Sequence, residues 1–181
     1  MVNPKKVTLV FVTMIIFIYA FLAIIETIHI SSSTVDEAFE KFINSEFKTE
    51  SARDKIGDKA SYRYDDYAII PFEVGNDVSL VQFKKGLFGW KIDFYSHNSN
   101  KGYSYSSMVD ESSGEILLHG VIPRDIVTST KNIKVNGIDA DIFMLNDKAG
   151  IWLMTNNKNK ENFDNIKIDF IDEVDNVIGE M

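Results

Sequence analysis

The chain has 181 residues and no cysteine, and its 27 acidic side chains outweigh 19 basic ones for a formal net charge of −8. Those figures exclude disulfides, thiolate catalysis and zinc–thiolate sites together. They also argue against nucleic acid as a partner, because backbone phosphates need clustered Lys and Arg.

Residues Val7 to Ile25 read VTLVFVTMIIFIYAFLAII, without a charge, a proline or a glycine. As a helix this run is roughly 28 Å long, close to the hydrocarbon thickness of a bilayer. Lys5 and Lys6 precede it, and Glu26 and His29 follow. Lysines on the short N-terminal side predict a cytoplasmic N-terminus and an outer location for residues 30–181. A cleaved signal peptide is the rival reading. Its apolar region is normally about 7–15 residues, followed by a small-x-small site, whereas this run is longer and Ala20 and Ala23 are three apart. A buried core helix would show a polar stripe, and none is present. With six residues ahead of the span, no output domain is expected on that side.

The expected organisation is a cytoplasmic tail (1–6), a transmembrane signal anchor (7–25), a hinge (26–33), an α+β subdomain (34–110) and a β-rich subdomain (111–181). Beyond Ile30 the chain holds 17 basic and 26 acidic residues, a net charge of about −9. That acidity reads as solubility and argues against adhesion to an anionic lipid surface.

Ser31-Ser32-Ser33 is a short polar hinge. Thr34 is a good helix N-cap, with Glu37 placed for a capping box. Val35, Ala38, Phe39, Phe42 and Ile43 form one apolar stripe, so a helix is expected to about Phe47. Residues 48–60 are charged and fit a second short helical piece. Tyr67–Val74 and Val78–Lys85 then pair as antiparallel strands across Gly75-Asn76-Asp77. Trp90, Ile92 and Phe94 alternate onto one face of a third strand. Residues 96–102 read as a polar loop, and Tyr103 and Tyr105 open another strand.

Glu111-Ser112-Ser113-Gly114 is the expected internal boundary. Beyond it the chain reads as all β. Ile116–Ile122 is apolar, and Asn136-Gly137 is the strongest short hairpin signal. Ile138, Ala140 and Ile142 alternate with Asp139 and Asp141. Ile151–Thr155 is a further strand, Asn156–Asn162 a loop. Ile166, Ile168 and Phe170 alternate again, with Val177-Ile178 after a turn. No repeat with a period of 20–50 residues occurs. The fold class is therefore α+β: a transmembrane helix, an amphipathic helix with antiparallel strands, then a β-rich C-terminal half. That half forms either a small β-sandwich or an extension of the first sheet.

Catalytic spacings are missing. His29, His97 and His119 show no metal-binding pattern. Ser45-Glu46-Phe47-Lys48 matches Ser-x-x-Lys, but at the end of a helix rather than its start, and no Ser-Asp-Asn or Lys-Thr-Gly follows. Asp169, Asp172, Glu173 and Asp175 lack the spacing and glycine of an EF-hand loop, and Asp169 is expected to face water. Neither a metal nor another cofactor is expected. Lys84-Lys85-Gly86-Leu87-Phe88-Gly89-Trp90-Lys91 is the one locally basic, aromatic segment. Lys84, Lys85, Phe88, Trp90 and Lys91 are the candidate interaction surface for a polyanion, the membrane or a partner; the plainer account is a hairpin whose Trp fills the core.

This segment after a hairpin, with the tail Ile151-Trp152 and a strand running through acidic and Asn residues to Val177-Ile178, resembles small single-pass extracytoplasmic proteins of Gram-positive bacteria. The resemblance implies an envelope location and carries no activity. The leading expectation is a non-enzymatic binding or interaction module of the cell envelope. It would contact the bilayer through its N-terminal helix and bind another envelope protein or a small ligand, with no nucleic acid. Two alternatives stand beside it. One is a hydrolase of cell wall or surface peptides. The other is an accessory or inhibitory subunit that packs through its membrane helix, for which Ala20 and Ala23 are the only hint.

Overall fold

The computed structural model describes residues 4–98, 103–109, 116–156 and 165–181. It is an α+β fold: one long apolar helix, a short amphipathic helix and three antiparallel sheets.

Helix α1 spans Pro4–Ile30. Its stretch Leu9–Ile30 is long and apolar enough to cross a membrane, and none of it is buried against the rest of the protein. The threonine hydroxyls of this stretch and the serine hydroxyl after it bond back one turn: Thr13 donates to the Leu9 carbonyl at 2.9 Å, Thr27 to Ala23 at 2.7 Å and Ser31 to Thr27 at 2.7 Å. Bonded in this way, these short hydroxyl side chains present no unmet donor to an apolar surrounding.

Helix α2 covers Val35–Glu46. Thr34 accepts from the Glu37 amide at 3.1 Å. The Glu37 carboxylate reaches back to Ser33, accepting from its amide at 3.0 Å and its hydroxyl at 2.5 Å. The Ser33 hydroxyl and the amides of Ser33 and Thr34 hold Glu37 below the usual carboxylate range. The buried residues of α2 are the five of the apolar stripe. Residues 48–60 hold both a single helical turn, α3 (Glu50–Arg53), and an unexpected strand, β1 (Ile56–Lys59).

The first sheet joins β1, β2 (Tyr62–Arg63), β3 (Tyr67–Val74), β4 (Asp77–Gly86) and β5 (Gly89–Asn98) in the order β1-β3-β4-β5, with β2 also on β3. Ala68, Ile70, Phe72, Val81 and Phe83 face α2. Phe42 stands at the middle of an aromatic cluster, with ring centroids 6.0 Å from Phe72, 6.5 Å from Phe83 and 5.0 Å from Tyr95.

The second sheet runs β10 (Asp141–Asn146), β11 (Ala149–Asn156), β7 (Ile116–Val121), β6 (Tyr105–Val109). The third runs β13 (Val177–Glu180), β12 (Ile168–Ile171), β8 (Asn132–Val135), β9 (Ile138–Asp139). Ile151 and Leu153 of β11 pack with Ile69, Leu80 and Phe94 of the first sheet. Trp152 and Met154 on the opposite face pack with Ile133, Val135, Ile168 and Phe170 of the third. The layers are therefore helix, sheet, sheet, sheet. The second and third sheets pack face to face, the sandwich that was one of the two expected arrangements, and the first sheet packs on the other side of the second. A strand buried on both faces explains the unbroken apolar run Ile151–Met154.

Several local expectations hold. Asn136 and Gly137 take φ of 50° and 82° in a tight β8–β9 hairpin, the left-handed pair that an Asn-Gly turn supplies. Two expectations need correction. Ser96 and His97 are strand rather than loop, because they pair with Leu80 and Ser79 of β4; residues 99–102 lie outside the described residues. Phe94 does not share a face with Trp90 and Ile92. Gln82 pairs with Phe94 but Phe83 pairs with Ile92, so Asp93 is the extra residue of a β-bulge. The bulge sends Phe94 toward the second sheet and Tyr95 toward α2. The boundary expected at residues 111–114 also lies outside the described residues. β6, before it, pairs with β7, after it.

Candidate functional site

Residues 84–91 form the end of the β4–β5 hairpin. Gly86 pairs with Gly89, leaving Leu87 and Phe88 as the two-residue tip. Leu87 is 99% exposed and Phe88 43%. Lys84 lies directly opposite Lys91, and Lys85 opposite Trp90. Like charges facing each other across a strand pair repel. Among the described residues neither Lys84, Lys85 nor Lys91 has an ion-pair partner. Lys85 Nζ sits 5.7 Å from the centroid of the Trp90 ring, a cation–π contact.

Trp90 is half-buried and packs on the α2 core. It therefore satisfies the plainer reading in part, while its remaining surface lines a groove. That groove has a volume of about 330 Å³ and lies between α2, β5 and the end of α1. Trp90 and Ile92 supply its open apolar wall with Phe42 and Phe83 buried behind them, Ile30 of α1 closes one side, and Lys41 carries the charge, whereas Lys91, paired with Lys84, projects from the opposite face of the hairpin. Sequence reading found Trp90 and Lys91 from local composition. It had no means of joining them to Ile30 and Phe42, which arrive from elements far earlier in the chain.

The hinge is fastened to this site. Ser32 and Trp90 exchange both backbone hydrogen bonds at 2.8 Å, an antiparallel bridge. Lys41 donates to the His29 carbonyl and, at 3.4 Å, to that of Ser31. A lysine on the last carbonyls of a helix satisfies orphan acceptors and complements the negative end of its dipole.

The other chemical candidates fall elsewhere. Ser45 donates to the Phe42 carbonyl at 2.9 Å, which occupies its proton at the end of α2. His29 is exposed at the end of α1. His119 is 1% exposed between the first and second sheets, its ring 6.1 Å from that of Phe94, and burial lowers its pKa to about 4. Asp172 accepts from the amides of Val174 and Asn176 at 2.9 Å each and from the Asn176 side chain at 3.1 Å. These bonds hold it below the usual carboxylate range and assign it to shaping the β12–β13 turn. Asp169 is not turned freely to water: it is largely covered and pairs with Lys167 at 2.9 Å. No cluster of three metal-ligating side chains occurs among the described residues.

One constellation was invisible in the sequence. Ser79 Oγ lies 2.8 Å from His97 Nδ1, and His97 Nε2 lies 3.5 Å from Asp77 Oδ2. The residue types are those of a hydrolytic triad, but the ring is reversed relative to the arrangement in which Nε2 serves the serine. Ser79 is also completely buried, so no substrate carbonyl reaches its oxygen in this conformation. The trio works as a cross-strand polar link between β4 and β5. No family model matches the chain, and no curated protein or solved structure matches it either.

Proposed function

We propose that this is a single-pass membrane protein with a cytoplasmic N-terminus, whose residues 30–181 form a non-enzymatic interaction domain on the outer face of the cell membrane. One observation carries the reading: a helix apolar on every side runs through a fastened hinge into a folded domain that buries none of it. In water such a helix would expose a continuous apolar surface far larger than soluble proteins tolerate. The flanking Lys5 and Lys6 support the orientation. The fastening turns one side of the domain, with the groove and the hairpin, toward the bilayer. The second and third sheets then face outward, where another envelope protein or a small ligand is met.

The absence of cysteine makes the test clean. Single-cysteine variants Val2→Cys and Val174→Cys are treated on intact cells with a membrane-impermeant maleimide; Val174 is 68% exposed. Residue 174 should label on intact cells and residue 2 only after lysis, with the chain resisting alkaline extraction. The reverse labelling, or release by alkali, overturns the topology. Affinity purification of the full chain from detergent extracts then addresses the interaction role. A domain that retains no reproducible partner and shows no ligand-dependent melting shift defeats it.

A further inference from the structure

We infer that α1 pairs side by side with α1 of a second copy of this chain inside the bilayer, with Tyr19 bonded to Tyr19 across a two-fold axis. The inference rests on the membrane-anchored reading above and adds to it the partner of the span.

Depth is the first argument. The run Val7–Ile25 has residue 16 at its midpoint, and Tyr19 stands three residues, about 4.5 Å, beyond it. Side chains of a helix lean toward its N-terminus, so the phenol points back to the middle of the hydrocarbon rather than up to the headgroups. Half of a hydrocarbon layer is about 15 Å thick, more than a tyrosine side chain spans. Tyrosine ordinarily sits at the membrane–water interface, where its hydroxyl stays wet. Here the hydroxyl is out of reach of water.

Bonding is the second. Thr13 and Thr27, the other hydroxyl residues of Leu9–Ile30, donate to carbonyls of their own helix. The rigid ring of Tyr19 carries its oxygen away from the backbone. The residue is 77% exposed, and no described residue bonds to it. An unpaired hydroxyl in hydrocarbon is costly, so the membrane favours an assembly that supplies a partner.

Symmetry is the third, and it names that partner. A phenolic hydroxyl both donates and accepts. Two copies inserted in the same direction carry Tyr19 at the same depth, and in a two-fold pair a residue on the axis meets itself. A second copy therefore brings the complementary group by construction, whereas an unrelated helix needs a polar side chain of its own at that level. The face around Tyr19 fits such a seam. Val12, Ile16, Tyr19, Ala23 and Glu26 recur at alternating spacings of four and three, the period of a left-handed helix pair. Ala23, one turn beyond Tyr19, leaves room for close approach. Glu26 ends the seam at the level of the headgroups, where water screens its charge. No described part of the outer domain covers this face, since none of the span is buried against the rest of the protein. Repulsion between two acidic domains is damped beyond about 8 Å at physiological ionic strength.

The test uses the full chain in liposomes at stepped protein-to-lipid ratios, with donor- and acceptor-labelled Val174→Cys molecules reporting association by energy transfer. Association should rise with the ratio. Tyr19→Phe removes one oxygen and keeps the ring, and it should weaken association roughly threefold or more. Phe21→Leu, about 200° round the helix from Tyr19, should leave it unchanged. In a chain with no other cysteine, Ala23→Cys should oxidise to a disulfide-linked dimer and Phe21→Cys should not. A chain that stays monomeric at every ratio overturns the inference, whether the span then meets lipid or a helix of another protein. So does a dimer unaffected by Tyr19→Phe, or one that cross-links through residue 21 as readily as through residue 23. Resistance to alkaline extraction is scored separately: release defeats the anchor, whereas retention without association defeats the pairing alone.

Discussion

Ser32 and Trp90 are joined by two reciprocal main-chain hydrogen bonds of 2.8 Å, so the segment leaving α1 becomes an extra partner on the free edge of β5. An exposed edge strand is otherwise a template for unwanted pairing. Here a residue of the hinge caps it, and the same contact sets where the domain sits relative to the apolar helix.

Gly89 makes that contact feasible. Its φ is 117°, and a Cβ there would meet the Ser32 carbonyl oxygen at 2.2 Å. Gly89→Ala should therefore cost about 2 kcal/mol or more, from backbone strain plus displacement of the hinge. Gly75 is the control, because its φ is 67° but nothing lies within 4 Å of its would-be Cβ. Gly75→Ala should cost about 1 kcal/mol. Thermal denaturation of both variants checks the ranking, and equal losses would show that the close approach to Ser32 does not matter.

Phe42 tests the junction between α2 and the first sheet. It is 3% exposed and touches the rings of Phe39, Phe47, Phe72, Phe83 and Tyr95. Phe42→Ala should destabilise by about 3–5 kcal/mol. Ile138 is also apolar but 54% exposed, and Ile138→Ala should fall within about 0.5 kcal/mol of the parent. Urea unfolding at constant m-value distinguishes the two.

How much of this was legible in advance follows from the range of the forces involved. The α2 stripe is local, so its five buried residues could be read from helical spacing. The Asn136-Gly137 turn was readable because those residue types favour positive φ. The β-bulge was not, since one extra residue leaves the alternation Trp90, Ile92, Phe94 intact on paper while the partner strand decides its facing. β1 was missed because Ile56-Gly57-Asp58-Lys59 has a single large apolar residue; pairing with β3 makes it a strand. The basic side of the site was visible as composition. Its apolar side was not, because Ile30 and Phe42 are brought there by tertiary packing alone.

His119 makes acid sensitivity a property of the interface between the first two sheets. Burial lowers its folded pKa from 6.5 to about 4. Between those values the unfolded chain takes up a proton that the folded protein refuses. Stability is thus full above about pH 6.5 and declines as pH falls toward 4. The loss from this group approaches about 3 kcal/mol when the window has been crossed. Chemical unfolding at stepped pH should show that decline, and His119→Leu should flatten it. A His119 resonance, identified by its loss in His119→Leu, that titrates near 6.5 in the folded protein would contradict the assignment.

Lys41 bears on whether α1 and the domain move as one body. Its ammonium reaches the carbonyls of His29 and Ser31 from the middle of α2, complementing the bridge that Ser32 makes to β5. Removing it should loosen the joint without unfolding the domain, since Lys41 is exposed and contributes no buried apolar surface. Spin labels on Phe17→Cys and Val174→Cys, in a chain with no other cysteine, report the separation of helix and third sheet. The parent should give a narrow distance distribution and Lys41→Ala a visibly broader one at unchanged melting temperature. A distribution already broad in the parent would mean that the hinge is slack despite both contacts.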